Sequence, residues 1–247
     1  MRMSCRAGSP ATSGRLTSPW TVPVGCALLV SFALAPASAA PPSPGPNPPA
    51  AAPGLAPPGP AAAVLDAFAR AWAAIGSYGA TVTLFEREGE RTQDAVFDYT
   101  FRKPATATAH EAKGSNAGVT LDWNGGNVVV AHRSGLFSFF KKTIALHDPL
   151  ATTIRGSSID ELSFGSILQH AEQVAGTLSV APGELLDGVQ TEAVTLVPSN
   201  PAADGGLTRE VLELSTVTQL PARVLGYAGT QLVRRVDFSD VEVKPPA

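Results

Sequence analysis

Between Ala61 and Ile75 apolar residues recur at Val64, Leu65, Phe68, Trp72 and Ile75. This i, i+3, i+4, i+7 spacing lays one face of a helix against a core, and Gly76 and Gly79 close the pattern. Beyond it the period falls to two. Val82 and Leu84 hold alternate positions, Phe97, Tyr99 and Phe101 are interleaved with Val96, Asp98 and Thr100, and Glu88-Gly89-Glu90 lies between the two segments. That is the pattern of paired antiparallel strands. Val119, Leu121 and Trp123 continue the alternation into Asn124-Gly125-Gly126-Asn127, whose Asn and Gly supply the positive-φ backbone of a tight hairpin. Further strands are predicted over Val128–Ala131, Leu136–Phe140, Ala193–Val197, Arg209–Leu214, Arg223–Tyr227 and Gln231–Val243, about eight to eleven in all.

A second helix interrupts the strands. Ser158-Ile159-Asp160-Glu161 has the form of a capping box, and Phe164, Ile167, Leu168, Ala171 and Val174 follow at helical spacing up to Gly176, which takes the place of a glycine C-cap. Asp160 and Glu161 sit where the helix dipole favours negative charge. In the last strand Leu232, Val236 and Phe238 share one parity while Val241 and Val243 share the other, a conflict that a bulge near Ser239 resolves. The fold class is therefore α+β: an antiparallel sheet that must hide one face, with two helices to cover it or close one end.

Composition divides the chain. Residues 1–60 hold 14 of the 22 prolines, three arginines and no acid, which sets them outside the fold. Val24–Ala35 is an apolar run behind Arg2, Arg6 and Arg15, followed by Ala37-Ser38-Ala39-Ala40, the layout of a secretory signal peptide over 1–40. The run is shorter than the roughly 20 residues of a membrane span. Residues 41–60, uncharged and Pro-rich, are expected to form a disordered, semi-rigid tether. The domain is then 61–247, and the expected location is the periplasm. Both cysteines, Cys5 and Cys26, fall in the leader, so the exported domain is expected to carry no thiol or disulfide. Cys26 stands near the start of the apolar run rather than after it, which argues against a lipid anchor.

Residues 61–247 carry 15 Lys and Arg against 21 Asp and Glu, a mildly acidic domain without the basic stripe that nucleic acid requires. No catalytic constellation emerges. His147-Asp148 lies near the hydroxyls of Thr152, Thr153, Ser157 and Ser158, but there is no G-x-S-x-G elbow, and helix capping accounts for the hydroxyls. His110, His132, His147 and His170 stand 22, 15 and 23 residues apart, without the spacings of zinc motifs. No metal or other cofactor is expected. Gly125-Gly126 and Gly205-Gly206 lack the strand, loop and helix of a phosphate cradle. Thr152–Ser158 contains a lone arginine, Arg155, before a helix start; it is either an ordinary capped loop or a seat for an anionic headgroup.

The layout resembles the LolA/LolB-type lipoprotein carriers and their relatives, including the RseB-type periplasmic regulators. The resemblance lies in the helix ending at Ile75-Gly76-Ser77-Tyr78-Gly79-Ala80 and in the closing strands Leu220-Pro221-Ala222-Arg223-Val224 and Val233–Val243, and runs over residues 62–243. Thr153–Ser158 and Glu161–Gly165 are more similar to an uncharacterised branch of that superfamily. The resemblance implies a strongly curved, incomplete antiparallel β-barrel with helices covering its mouth, and a hydrophobic ligand inside. Val82, Leu84, Phe97, Tyr99, Phe101, Val119, Leu121, Trp123, Phe137, Phe139 and Phe164 are then candidate lining residues, with Ile167 and Leu168 on a lid helix. The same side chains serve equally as plain core. The expected partner is a lipid or an acylated protein, bound by a monomer without turnover. The alternative is an envelope-stress sensor or structural interaction protein that meets a membrane-protein partner and carries no cargo.

Overall fold

A computed structural model describes residues 59–133, 141–174 and 176–246. The expected leader and nearly all of the tether lie outside them, as do Phe137, Phe139 and the strand expected over Leu136–Phe140. Among the described residues no helix is long and apolar enough to cross a membrane.

One antiparallel sheet holds eleven strands: β1 (Ser77–Glu88), β2 (Arg91–Arg102), β3 (Thr106–Lys113), β4 (Val119–Trp123), β5 (Val128–Arg133), β6 (Lys141–Ala145), β7 (Gly176–Leu186), β8 (Val189–Pro198), β9 (Arg209–Ser215), β10 (Pro221–Ala228) and β11 (Gln231–Lys244). Their spatial order is β6-β5-β4-β3-β2-β1-β11-β10-β9-β8-β7. Two meanders, β1 to β6 and β7 to β11, thus meet at a seam between the first strand and the last. Strands β6 and β7 are consecutive in the chain yet form opposite edges, so the sheet is an open half-barrel. The segment joining them must pass from one edge to the other across the inner face.

The inner face follows from the period of two. Tyr78, Ala80, Val82, Leu84 and Glu86 of β1 are buried, and their β2 partners are Phe101, Tyr99, Phe97, Ala95 and Gln93. On β11 Phe238 stands opposite Val82, Val236 opposite Leu84 and Arg234 opposite Glu86. Helix α1 (Pro60–Ala73) buries Ala61, Val64, Leu65 and Phe68, the predicted stripe, and has proline in its first turn where no N–H is required. Gly76 ends this segment under close approach: a Cβ there would lie 2.6 Å from the Pro245 carbonyl oxygen.

Three expectations need correction. The helix predicted from Ser158 is split into a 3₁₀ turn, Ile159–Leu162, and helix α2, Phe164–Gln173. The capping box does not form, because the Ser158 hydroxyl turns to the Asp160 carboxylate at 2.5 Å. Ser163 is the cap instead, its Oγ accepting from the Ser166 N–H at 3.0 Å. Gly176 is not a C-cap; Val174 ends α2 in extended backbone, and Gly176 opens β7, where a Cβ would sit 1.9 Å from the Val197 carbonyl oxygen. Finally, the sequence pattern does not predict β3, β6 (Lys141–Ala145) or β7. Strand β3 buries the small Ala107 and Ala109, and β7 is an exposed edge carrying Pro182 and Gly183, which an edge tolerates. The bulge expected near Ser239 is present: register shifts between Gly79 and Thr81 of β1, and Asp240 opposite has φ 51°.

Candidate functional site: two chambers divided by a crossover

The crossover from β6 to β7 enters the half-barrel and is held there by polar groups that stand at buried strand positions. Glu86, with no exposed surface, accepts from the Arg155 main-chain N–H at 3.0 Å and from the Ser157 hydroxyl at 3.1 Å. Gln93, its neighbour across β2, accepts from the Ile154 N–H at 2.8 Å. Further along, the Tyr99 hydroxyl donates to the Ile159 carbonyl at 3.3 Å. The Tyr78 hydroxyl donates to the Leu162 carbonyl at 3.3 Å and accepts from the Phe164 N–H at 3.2 Å. Burial pushes both phenols well above their ordinary range, so both stay neutral donors. Main-chain groups of a buried loop need such partners, and the sheet provides them.

Aromatic packing completes the anchor. The rings of Tyr78 and Phe164 stack with centroids 4.1 Å apart, and Phe164 meets Phe238 edge-on at 5.2 Å. Trp72 of α1 closes the cluster against Phe101 at 5.6 Å.

Two chambers flank the crossover, and Ser157 and Leu162 border both. The first, about 230 Å³, is apolar: Leu84, Phe97, Ala109, Val119, Leu121, Ala131 and Ile144 from the sheet, Ala151, Ile159 and Leu162 from the crossover, with Glu111, Asn116 and Lys142 among its polar members. The second, about 350 Å³, has a mixed lining: Leu162, Ile167, Leu207, Val224, Val236 and Phe238 stand beside Arg155, His170, Asp204, Glu210 and Arg234, the cluster for which it is called the polar chamber.

The residues singled out from the sequence are distributed over this arrangement. Leu84, Phe97, Val119 and Leu121 line the apolar chamber. Val82, Tyr99, Phe101, Phe164 and Leu168 are buried in the core cluster, and Trp123 packs against it with its indole N–H donating to the Gly126 carbonyl at 2.7 Å. Ile167 borders the polar chamber. On the crossover side the apolar chamber is bordered by Ala151, Ile159 and Leu162, and Ile167 and Leu168 of α2 are not among its lining residues. Arg155, weighed as a headgroup residue, donates from Nη1 to the Arg87 carbonyl at 3.0 Å and from Nη2 to the Gly205 carbonyl at 2.7 Å, clasping two loops together. Asp148 caps its own turn by accepting from the Leu150 N–H at 2.8 Å.

Glu86, Gln93 and Tyr78 were not singled out, although Glu86 lies on the same parity as Val82 and Leu84, a legible sign of a buried acid. The polar chamber brings together His170 of α2, Asp204 of the 3₁₀ turn Pro201–Asp204 and Glu210 of β9. Such a grouping from three elements has no spacing to detect. The His170 ring N–H donates to Glu210 at 2.6 Å, a bond that holds the imidazole above its ordinary range, while burial pushes the Asp204 carboxyl up.

Neither a protein-family model nor a curated protein sequence matches the chain. Solved structures do. The Mycobacterium tuberculosis lipoprotein LppX is 14% identical at a TM-score of 0.43, covering 72% of this chain and 93% of its own. A LolA superfamily protein from Nitrosomonas europaea is 10% identical at 0.35, with 74% and 93% covered. MucB from Pseudomonas aeruginosa, in its complex with MucA, is 16% identical at 0.40; the match covers 76% of this chain and 58% of that one. At these scores the likeness carries no ligand or partner over to this chain.

Proposed function

We propose that the protein is an exported carrier or binding module for a hydrophobic ligand, a lipid or the acyl chains of a lipoprotein, acting in the periplasm without chemical turnover. The observation that supports this most directly is the apolar chamber under the Ile159–Leu162 turn, bounded on the sheet side by Leu84, Phe97, Val119 and Leu121. At about 230 Å³ it falls below the ~300–1,000 Å³ of ordinary ligand pockets. A long chain therefore enters only as the turn withdraws, and each methylene then buried gains about 0.8 kcal/mol. Two tyrosine hydroxyls, those of Tyr99 and Tyr78, pin the carbonyls of the turn to the sheet, so the turn can withdraw by breaking these bonds while the strand ladders stay intact.

The test is native mass spectrometry of protein purified from a periplasm without detergent, followed by organic extraction and by titration with a fluorescent fatty acid. A lipid-sized adduct and saturable binding support the reading. Bare sequence mass, together with uptake no better than that of an unrelated protein, sinks it. The second reading, a sensor or interaction protein without cargo, draws support from the fully buried positions of Val82, Tyr99, Phe101 and Phe164 in the core. Under it, crosslinking in the envelope captures a protein partner and extraction yields no lipid.

A further inference from the structure

The polar chamber gathers a donor set unlike anything else among the described residues. We propose that His170, Asp204 and Glu210 form a binding site for one divalent transition-metal ion, zinc foremost, with a water molecule in the remaining position. Their ligand atoms all lie within 4.8 Å of one another. The His170 Nε2 is 2.6 Å from Glu210 Oε1 and 3.6 Å from Asp204 Oδ1. Around a tetrahedral ion with bonds of about 2.0–2.2 Å, neighbouring donor atoms stand roughly 3.3–3.5 Å apart. The longer separation already fits, and the shorter one opens by less than about 1 Å, within the reach of side-chain rotation.

A second observation points the same way. Asp204 Oδ2 has no accessible surface and no hydrogen-bond partner. It is the second oxygen of the carboxylate whose Oδ1 faces His170; a native carboxylate with an oxygen left in that condition is costly, and an ion held by the group would offset the cost. Glu210 is also deeply enclosed, its side chain 3% exposed. Its cross-strand neighbour on β10 is Gly226, which places no side chain over it. The chamber wall near the two carboxylates also holds the cationic side chains Arg234 and Arg155, so it is the donor set and its spacing, and not net charge, that favour an ion.

The donor types select among ions. One imidazole and two carboxylates suit zinc and its first-row neighbours, whereas calcium seeks six to eight oxygens, more than this set offers. Three protein ligands and an open position describe an accessible rather than a purely structural site. The ion would also tie α2 to β9 and to the turn before it, beside the crossover.

The experiment uses tag-free full-length protein stripped with EDTA, titrated with zinc by calorimetry and with cobalt(II) by visible absorption. Expected are one ion per chain, the intense visible bands of a four-coordinate cobalt site, and a weakening by about tenfold or more in His170→Gln and in Asp204→Asn. Circular dichroism checks that each variant is folded; if His170→Gln is not, Asp204→Asn decides alone. Substoichiometric zinc, or binding and cobalt bands unchanged in the folded variants, overturns the site and assigns any uptake to groups elsewhere in the chain, Cys5 and Cys26 included.

Discussion

The hydroxyl of Ser157 donates to the carboxylate of Glu86 at 3.1 Å across 71 residues of sequence. Glu86 belongs to the row of β1 side chains that face inward, where Leu84 and Val82 precede it, and it meets the crossover where the Arg155 main-chain N–H and the Ser157 hydroxyl need an acceptor. Replacing Glu86 by alanine orphans the Arg155 N–H and the Ser157 hydroxyl together. The expected loss is about 2–6 kcal/mol, from roughly 1–3 kcal/mol for each of the two stranded groups, read from urea denaturation. Hydrogen exchange at the Ile154 and Arg155 amides should accelerate beyond the global change; uniform acceleration would mean that Glu86 serves the whole fold and not the crossover.

Tyr99 and Tyr78 tether the next stretch through their hydroxyls, and the Tyr78 ring also stacks on Phe164. Tyr99→Phe keeps the ring in the core and removes only the bond to the Ile159 carbonyl, at a cost of about 0.5–1.5 kcal/mol. If the turn is the cover of the apolar chamber, stopped-flow uptake of a fluorescent fatty acid becomes faster in Tyr99→Phe and in Tyr78→Phe. An unchanged uptake rate would place the entry elsewhere.

Ala131 borders the apolar chamber without filling it. Ala131→Phe should occupy that space, abolish fatty-acid binding and alter stability by no more than about 1 kcal/mol, since new apolar burial offsets packing strain. Retained affinity in a folded Ala131→Phe protein would show that ligand does not enter this chamber.

Gly176 starts the edge strand with the Val197 carbonyl oxygen where its Cβ would be. Gly176→Ala forces the first pair of β7 and β8 apart and is expected to cost about 1–3 kcal/mol, seen as a lower Tm. Gly89→Ala makes a useful contrast, for that glycine has open space around it but a φ of 60°, so its cost is one of backbone conformation alone.

Glu213 supplies the pH test. It is 3% exposed, and burial first, then the nearby Glu184 charge, raise its carboxyl above the ordinary 4.5. A raised value in the folded state means stability that is full below the unfolded value and is lost as pH rises through the folded one. Glu213→Gln keeps an acceptor for the Thr191 hydroxyl and removes the buried charge. The variant should therefore be the more stable protein at neutral pH, with the advantage fading toward pH 4. An advantage that grew on acidification would reverse the assigned cause.

Much of this architecture was legible in alternation. The strands that bear large side chains, such as Phe97-x-Tyr99-x-Phe101, declare their inward face, and the parity conflict around Ser239 located the bulge at Asp240. Strand β3 escaped because its inward residues, Ala107 and Ala109, are too small to mark a face, and β7 because an edge exposed on both sides needs no apolar row. The division of the second helix was hidden for a different reason: Ser158 and Ser163 are both competent caps, and only the buried tyrosines that fix the Ile159 and Leu162 carbonyls decide between them. The polar chamber was beyond pattern altogether, since its three donors come from elements that meet only in the assembled fold.

The seam between β1 and β11 also sets the order of assembly. Within each meander every strand pairs with its neighbour in sequence, so both halves can form through short loops on fast timescales. Pairing Val82 with Phe238 brings together residues about 150 positions apart, and its loop-closure entropy is lost before any contact repays it. The seam is therefore expected to close late, after the main barrier, and substitutions along it, unlike those within either meander, should act mainly on how fast the finished protein comes undone.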